Sequence, residues 1–242
     1  MNTNAIFERR ELKFLVTEEQ RSLLEEAFRE TMIPDPHGES TICNVYYDTP
    51  DFRLIRSSLE KPVYKEKLRL RSYGPAGAED DVFLELKKKY DGVVYKRRVT
   101  LPVAAAEAYF AGEAPLPELG QIGREIEYFT RFYGTLRPAV YLCYDRTAYY
   151  AKDDHDLRVT FDRNIAWRRE WVQLTSPVGG RQLLPRGYSL MEIKAAAAIP
   201  LWLVALLSRN SIRQSTFSKY GEAYKTILAE DRREALGGIV NV

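Results

Sequence analysis

The stretch VYKEKLRLRSY, residues 63–73, alternates so that Lys65, Lys67, Arg69 and Arg71 share one face while Leu68 and Leu70 share the other. Successive side chains of a strand point to opposite sides of a sheet, so this segment reads as a strand with four cations on one side. Residues 82–90 (VFLELKKKY) and 93–101 (VVYKRRVTL) follow, joined by Asp91-Gly92, a two-residue turn signal that predicts an antiparallel hairpin. In the first of these strands Glu85, Lys87 and Lys89 lie together. In the second, the face of Val93, Tyr95, Val99 and Leu101 leaves Lys96, Arg98 and Thr100 opposite, and Arg97 points the other way.

The same alternation extends outward. Residues 5–16 form a strand with Glu11 and Lys13 on one face and Leu12 and Phe14 on the other. Thr17-Glu18-Glu19-Gln20 is a capping box opening an amphipathic helix to about Thr31, stopped by Pro34 and Pro36. Residues 40–48 are strand-like and 51–59 a short helix; helices are also expected at 102–111, 116–133, 200–208 and 219–235. Strands are expected at 138–150, 156–163, 164–172 and 187–195. No repeat or dividing linker appears, so residues 1–242 are expected to form a single domain of α+β class.

Composition narrows the function. Lys+Arg 36 against Asp+Glu 34 excludes a globally polybasic chain, and 45% hydrophobic residues exclude disorder. Cys43 and Cys143 are a hundred residues apart with no C-x-x-C or Cys/His spacing, which argues against a disulfide framework or zinc site and for a reducing, intracellular compartment. The N-terminus has no apolar signal core, and the longest apolar run, 195–207, is too short to span a bilayer, so a cytoplasmic protein is expected.

Three strands repeat one arrangement: Glu11-Leu12-Lys13, Glu85-Leu86-Lys87 and Glu192-Ile193-Lys194 each place a carboxylate and an ammonium on one face with an aliphatic residue behind. Arg146 and Arg158 add further cations. If the sheet curls into a closed barrel, its apolar side packs on helices and its charged side lines a lumen. Lys13, Lys65, Lys67, Arg69, Arg71, Lys87, Lys96, Arg98, Arg146, Arg158 and Lys194 would then far outnumber Glu11, Glu85, Asp162 and Glu192. Like charges in a partly dehydrated cavity are costly, so the complement is a ligand rich in phosphate oxygens, with a divalent cation held by the few carboxylates. There is no P-loop, no G-x-G-x-x-G, no G-x-S-x-G and no H-E-x-x-H. Phosphate must therefore be held by side chains. His37 and His155 have no evident partner.

In chain order, ELKFLV (11–16), KLRLRSY (67–73), VFLELKKK (82–89), YKRRV (95–99), YLCYDRTAYY (141–150), LRVTFD (157–162), LMEIKA (190–195), Pro200-Leu201-Trp202-Leu203 and FSKY (217–220) resemble the VTC domain, a polyphosphate polymerase domain among the CYTH-like triphosphate tunnel metalloenzymes. The resemblance implies a closed eight-stranded antiparallel barrel with helices packed outside, binding ATP and polyphosphate. It also implies Mn²⁺ or Mg²⁺ as cofactor. Lys13, Arg69, Arg71, Lys87, Lys96, Arg98, Arg146, Arg158, Ser218 and Lys219 match phosphate-contacting places, Ser218 and Lys219 on the resemblance alone. Lys67 and Lys194 join them through the shared face. Glu192 matches the metal carboxylate, with Glu11 and Glu85 as further candidates.

One departure bears on the chemistry. Hydrolases and cyclases of this superfamily carry E-x-E-x-K on the first strand, where this chain has Arg9-Arg10-Glu11-Leu12-Lys13. A cation replacing one metal carboxylate weakens a hydrolytic two-metal reading. The expected function is ATP-dependent polyphosphate synthesis by phosphoryl transfer. The alternatives are a tripolyphosphatase or nucleoside triphosphatase using the same site, and a non-catalytic polyanion-binding module. No nucleic-acid partner is expected, because the charge balance leaves no wide basic surface. A membrane-protein partner is left open.

Overall fold

A computed structural model describes residues 10–91, 93–154, 156–196 and 198–237, so Arg9, Gly92 and His155 lie outside the described residues. The strands are β1 (Arg10–Thr17), β2 (Met32–Pro34), β3 (Ser40–Asp48), β4 (Tyr64–Tyr73), β5 (Asp81–Tyr90), β6 (Val93–Pro102), β7 (Arg137–Ala151), β8 (Arg158–Arg168), β9 (Arg181–Gln182), β10 (Tyr188–Ala195) and β11 (Gln214–Ser215). The helices are α1 (Glu18–Thr31), α2 (Arg53–Leu59), α3 (Val103–Ala111), α4 (Gly120–Tyr133), α5 (Leu201–Arg209) and α6 (Lys219–Gly237).

Local signals act where the sequence places them. The Thr17 hydroxyl accepts from the Gln20 N–H at 3.2 Å and the Gln20 side chain accepts from the Thr17 N–H at 3.0 Å, so the capping box opens α1. Asp91 takes φ 43° and Tyr90 pairs Val93, the register of a two-residue hairpin turn. Arg97 leaves the cationic face and meets Glu125 of α4 at 3.2 Å.

All strands join one antiparallel sheet in the order β11-β1-β10-β8-β7-β3-β4-β5-β6, with β2 alongside β7 and β9 alongside β8. This corrects the expected closed eight-stranded barrel. The sheet has eleven strands, and among the described residues its edges β6 and β11 do not pair. It nevertheless curls far enough that Lys87 Nζ on β5 comes within 3.4 Å of Glu11 Oε2 on β1.

Apolar residues on the convex side bury against helices. Phe14, Met191, Ile193, Val159 and Phe161 pack with Leu24 and Phe28 of α1 and Leu203 and Leu207 of α5; Leu68, Leu70, Leu84 and Leu86 pack with α3 and α4. Helix α6 departs from the expectation that helices lie outside. Its Tyr220, Ala223, Tyr224 and Ile227 pack on Ile42, Tyr46, Val140 and Leu142, which share the concave face by register. Asp48 anchors it: fully buried, its carboxylate accepts from the N–H of Thr49, Leu54 and Ile55 at 2.8, 2.8 and 3.0 Å and from the Tyr220 hydroxyl at 2.8 Å. The apolar face of α6 fills one end of the trough and leaves the charged end open.

Strand β8 is continuous where the sequence suggests two strands. Asn164 takes φ 50° at a bulge opposite Cys143–Asp145, and its side-chain amide donates to Asp145 at 2.8 Å. A bulge inserts one residue and shifts the alternation. Arg158, Thr160 and Asp162 therefore face the concavity before it, and Ile165 and Trp167 after it.

Candidate functional site

The concave face encloses a cavity of about 680 Å³ whose wall carries ten lysines and arginines and four carboxylates. Lys13, Lys67, Arg69, Arg71, Lys87, Lys96, Arg146, Arg158, Lys194, Ser218 and Lys219 all line it, as do Glu11, Glu85 and Glu192. Arg98 shares the face with Glu85 by register, but its guanidinium lies over the Phe83 ring at 4.3 Å, beside the wall rather than in it.

The carboxylates organise the cations into groups. Glu85, 1% exposed, accepts from Arg69 Nε and Nη2 at 2.8 and 2.7 Å, has Lys96 Nζ at 2.5 Å on its other oxygen, and Arg71 at 3.8 Å. Burial alone would raise its pKa; Arg69, Arg71 and Lys96 outweigh that and hold it at about 2. On the opposite wall, buried Asp162 takes a two-pronged bond from Arg146 at 2.6 and 2.8 Å and an ion pair from Lys219. Glu192 lies next to it, within 3.3 Å of Lys219, 3.5 Å of Lys194 and 3.8 Å of both Lys13 and Arg146. Against the cost of burial, these cations keep Asp162 and Glu192 below the usual carboxylate range. Glu11 sits between Lys13 and Lys87, each at 3.4 Å; burial opposes its ionisation, Lys87 and Lys13 favour it, and it is held at about 2.

Arg71 and Lys67 are held differently. Arg71 Nε donates to Asn44 Oδ1 at 3.0 Å and Nη2 to the Tyr144 hydroxyl at 3.3 Å, neutral partners that fix the fork without cancelling its charge. Lys67 Nζ meets the Ser218 hydroxyl at 3.4 Å, and among the described residues it forms no ion pair. Ser218 also caps α6, accepting from the Gly221 N–H at 3.3 Å. Burial, reinforced by Lys13, Lys87 and Lys65, pushes Lys67 down to about 8, and burial does the same to Lys96 despite Glu85.

A pH dependence follows from those two lysines. Both are charged below about 8 and lose charge above it, while a bound polyphosphate favours the ammonium form and restores the higher value. Tripolyphosphate affinity is expected to fall as pH rises through 8, with proton uptake on binding. Calorimetry in two buffers of different ionisation enthalpy checks this, and identical heats in both would refute it.

Several wall residues lay outside the sequence expectations. Tyr46 accepts from Arg69 Nη1 at 3.2 Å, Tyr144 accepts from Arg71, and Tyr150 lies beneath the Arg158 guanidinium at 4.9 Å. Parity carries the signal for the first two, since Tyr46 alternates with the apolar Val45 and Tyr47, and Tyr144 shares the phase of Arg146. Among the described residues no group of three or more His, Cys, Asp or Glu is placed to hold an ion. Glu11 and Glu192 face one another across the Lys13 ammonium, while Glu85 is enclosed by its own cations.

Comparison with known proteins agrees with this architecture. A solved structure of a candidate adenylate cyclase from Bacillus halodurans aligns with TM-score 0.56 at 17% identity, covering 86% of this chain and 92% of that one, a likeness of fold. Subunit 4 of the vacuolar transporter chaperone complex of Schizosaccharomyces pombe is 23% identical over 78% of this chain. The chain spans about a third of that relative, 32% of its length. The VTC domain family matches residues 8–228, from the strand that carries Glu11 and Lys13 to the helix that carries Lys219, and this chain belongs to that family.

Proposed function

We propose that the cavity binds the triphosphate of ATP and transfers its γ-phosphate to the end of a polyphosphate chain, releasing ADP. The observation that carries this reading is the charge of the wall: ten cations face four carboxylates in a cavity of about 680 Å³, and an empty excess of that kind is costly without a polyanion. In the transfer, a terminal oxygen of the acceptor chain bonds to the γ-phosphorus as the bond to the β–γ bridging oxygen breaks and leaves with ADP. The protein's part is position and charge. Arg71, held through Nε and Nη2 by neutral partners, orients the phosphates and neutralises the charge that develops on them, while Arg146, bonded twice to Asp162, fixes the opposite wall. Single-domain organisation over residues 1–242 belongs to the same proposal. The cations point inward, which supports a threaded phosphate chain over a nucleic-acid duplex. Among the described residues no helix is long and apolar enough to cross a membrane.

Mg²⁺ or Mn²⁺ fits the residues in one way. Glu192 and Glu11 offer hard oxygens to the cavity and among the described residues no third carboxylate joins them, so an ion would complete its shell with phosphate and water. Such an ion supplies charge neutralisation on the phosphate oxygens. Glu192→Gln keeps the shape of the side chain and removes its charge, so metal-dependent turnover is expected to fall while metal-free tripolyphosphate binding survives. A variant that titrates with Mn²⁺ like the parent takes Glu192 out of this role.

The ratio of products tests the function. Transfer to a chain yields ADP with little free orthophosphate; hydrolysis yields the two in equal amounts. Tight tripolyphosphate binding with no ADP formed would instead mark a binding module.

A further inference from the structure

Helix α5 lies on the convex side of the sheet, away from the cavity. It buries Leu203 and Leu207 and turns Leu201, Val204, Ala205 and Ser208 to solvent, Leu201 with 85% of its surface exposed. The outer row of a surface helix ordinarily carries charge; here it carries none before Arg209. Beside that row, Leu12, Phe14, Val204, Leu207 and Ile212 line an apolar groove of about 450 Å³.

The charges on these segments have one sign. From Ala195 to Gly221 the chain has no aspartate or glutamate. Arg209 and Arg213, on either side of the turn after α5, are both exposed, and Arg213 reaches the groove. On the β1 wall of the groove, alternation puts Arg10 on the face of Leu12 and Phe14, and it too is exposed. Among the described residues none of these three arginines forms an ion pair. The turn itself is held in place: the Asn210 amide donates to the Leu206 carbonyl at 2.8 Å, the Ile212 N–H to the Leu207 carbonyl at 2.9 Å, and Gln20 of α1 to the Asn210 carbonyl at 3.0 Å. Glu18 and Glu25 of α1 are taken up by Arg21.

We propose that this face docks on an anionic lipid bilayer: α5 lies in the plane of the interface, Leu201 and Val204 enter the hydrocarbon boundary, and Arg10, Arg209 and Arg213 meet lipid phosphates. Nine residues are too few to span a bilayer and enough to lie on one. A second copy of the chain is a poorer occupant, because two such faces bring arginine to arginine with no carboxylate between them. A soluble polyanion is poorer as well, because it gains nothing from the apolar centre. The inference is independent of the reaction proposed for the cavity, which opens on the concave side.

Flotation of the full chain with phosphatidylcholine vesicles, with and without phosphatidylserine, tests this on the parent, on Leu201→Glu and on the double variant Arg209→Gln, Arg213→Gln. The parent is expected to float with the anionic vesicles and not with the neutral ones. Each arginine near an anionic surface contributes roughly fivefold in affinity, so the double variant is expected to bind roughly 25-fold more weakly. Leu201→Glu replaces an exposed apolar contact by a repelled charge and is expected to weaken binding by on the order of tenfold, with unchanged thermal unfolding. A parent that floats with neither vesicle, or equally with both, would overturn the proposal, as would anionic-vesicle binding undiminished in both variants. So would a parent dimer that becomes monomeric in Leu201→Glu, which would assign the face to a second copy.

Discussion

Replacing Asp162 with alanine is expected to destabilise the fold by about 3–5 kcal/mol, the cost of removing one member of a buried ionic group and leaving the others uncompensated. Asp162 is fully buried and holds both prongs of Arg146, itself 14% exposed at the side chain, together with the buried Lys219 ammonium. Glu192 is the carboxylate left to face both, and it already serves Lys13 and Lys194. For a chain of this size the loss corresponds to a drop in Tm of roughly 6–20 °C. Because the folded carboxyl ionises below its ordinary value, the contribution is complete at neutral pH and disappears as pH falls through the lowered value; the variant and parent should converge in acid. A polyanion binds the folded cations and not the unfolded chain, so tripolyphosphate should restore part of the lost Tm. A neutral-pH shift below about 2 °C would show that Asp162 does not hold this wall together.

The largest effect on turnover is expected from Arg71→Ala, a fall on the order of 10²–10³ in rate. Arg71 is positioned by hydrogen bonds to Asn44 and Tyr144 and stands 3.8 Å from Glu85 without bonding it, so its donors are freer for a phosphate than those of Arg69, which bonds Glu85 twice. Stability should change by only about 1–2 kcal/mol, since the hydrogen-bonded groups it leaves are a phenol and an amide that also donates to the Leu142 carbonyl, and Glu85 keeps Arg69 and Lys96. Arg71→Lys restores charge without the planar fork and should recover the activity only in part. Turnover within twofold of the parent, with normal unfolding, would remove Arg71 from the mechanism.

Much of this arrangement is legible in the chain because strand period and turn chemistry are local. The 63–73 alternation, the Asp91 turn and the Thr17 capping box depend on residues a few positions apart, and each forms where its spacing indicates. What could not be read is non-local. Closure of the sheet depends on whether β6 meets β11, and nothing within either strand encodes the α6 helix lodged between the walls. The sequence suggests a break between 163 and 164, yet the left-handed Asn164 and its bond to Asp145 make that point a bulge within one strand. The depth of Asp162 is equally hidden, since parity places it on the charged face without telling that Arg146 and Lys219 seal it from the cavity. Tyr46 and Tyr144 were visible by parity, but a tyrosine on a charged face acquires a role only once the arginine opposite is known.

The most direct measurement is the fate of the γ-phosphorus. Purified protein is given γ-labelled ATP, Mn²⁺ and a short polyphosphate primer, and the labelled products are separated by chain length. The proposed transfer predicts label in chains longer than the primer, growing with time in step with ADP and lost in Arg71→Ala. Label recovered only as orthophosphate, with no chain longer than the primer, would contradict it.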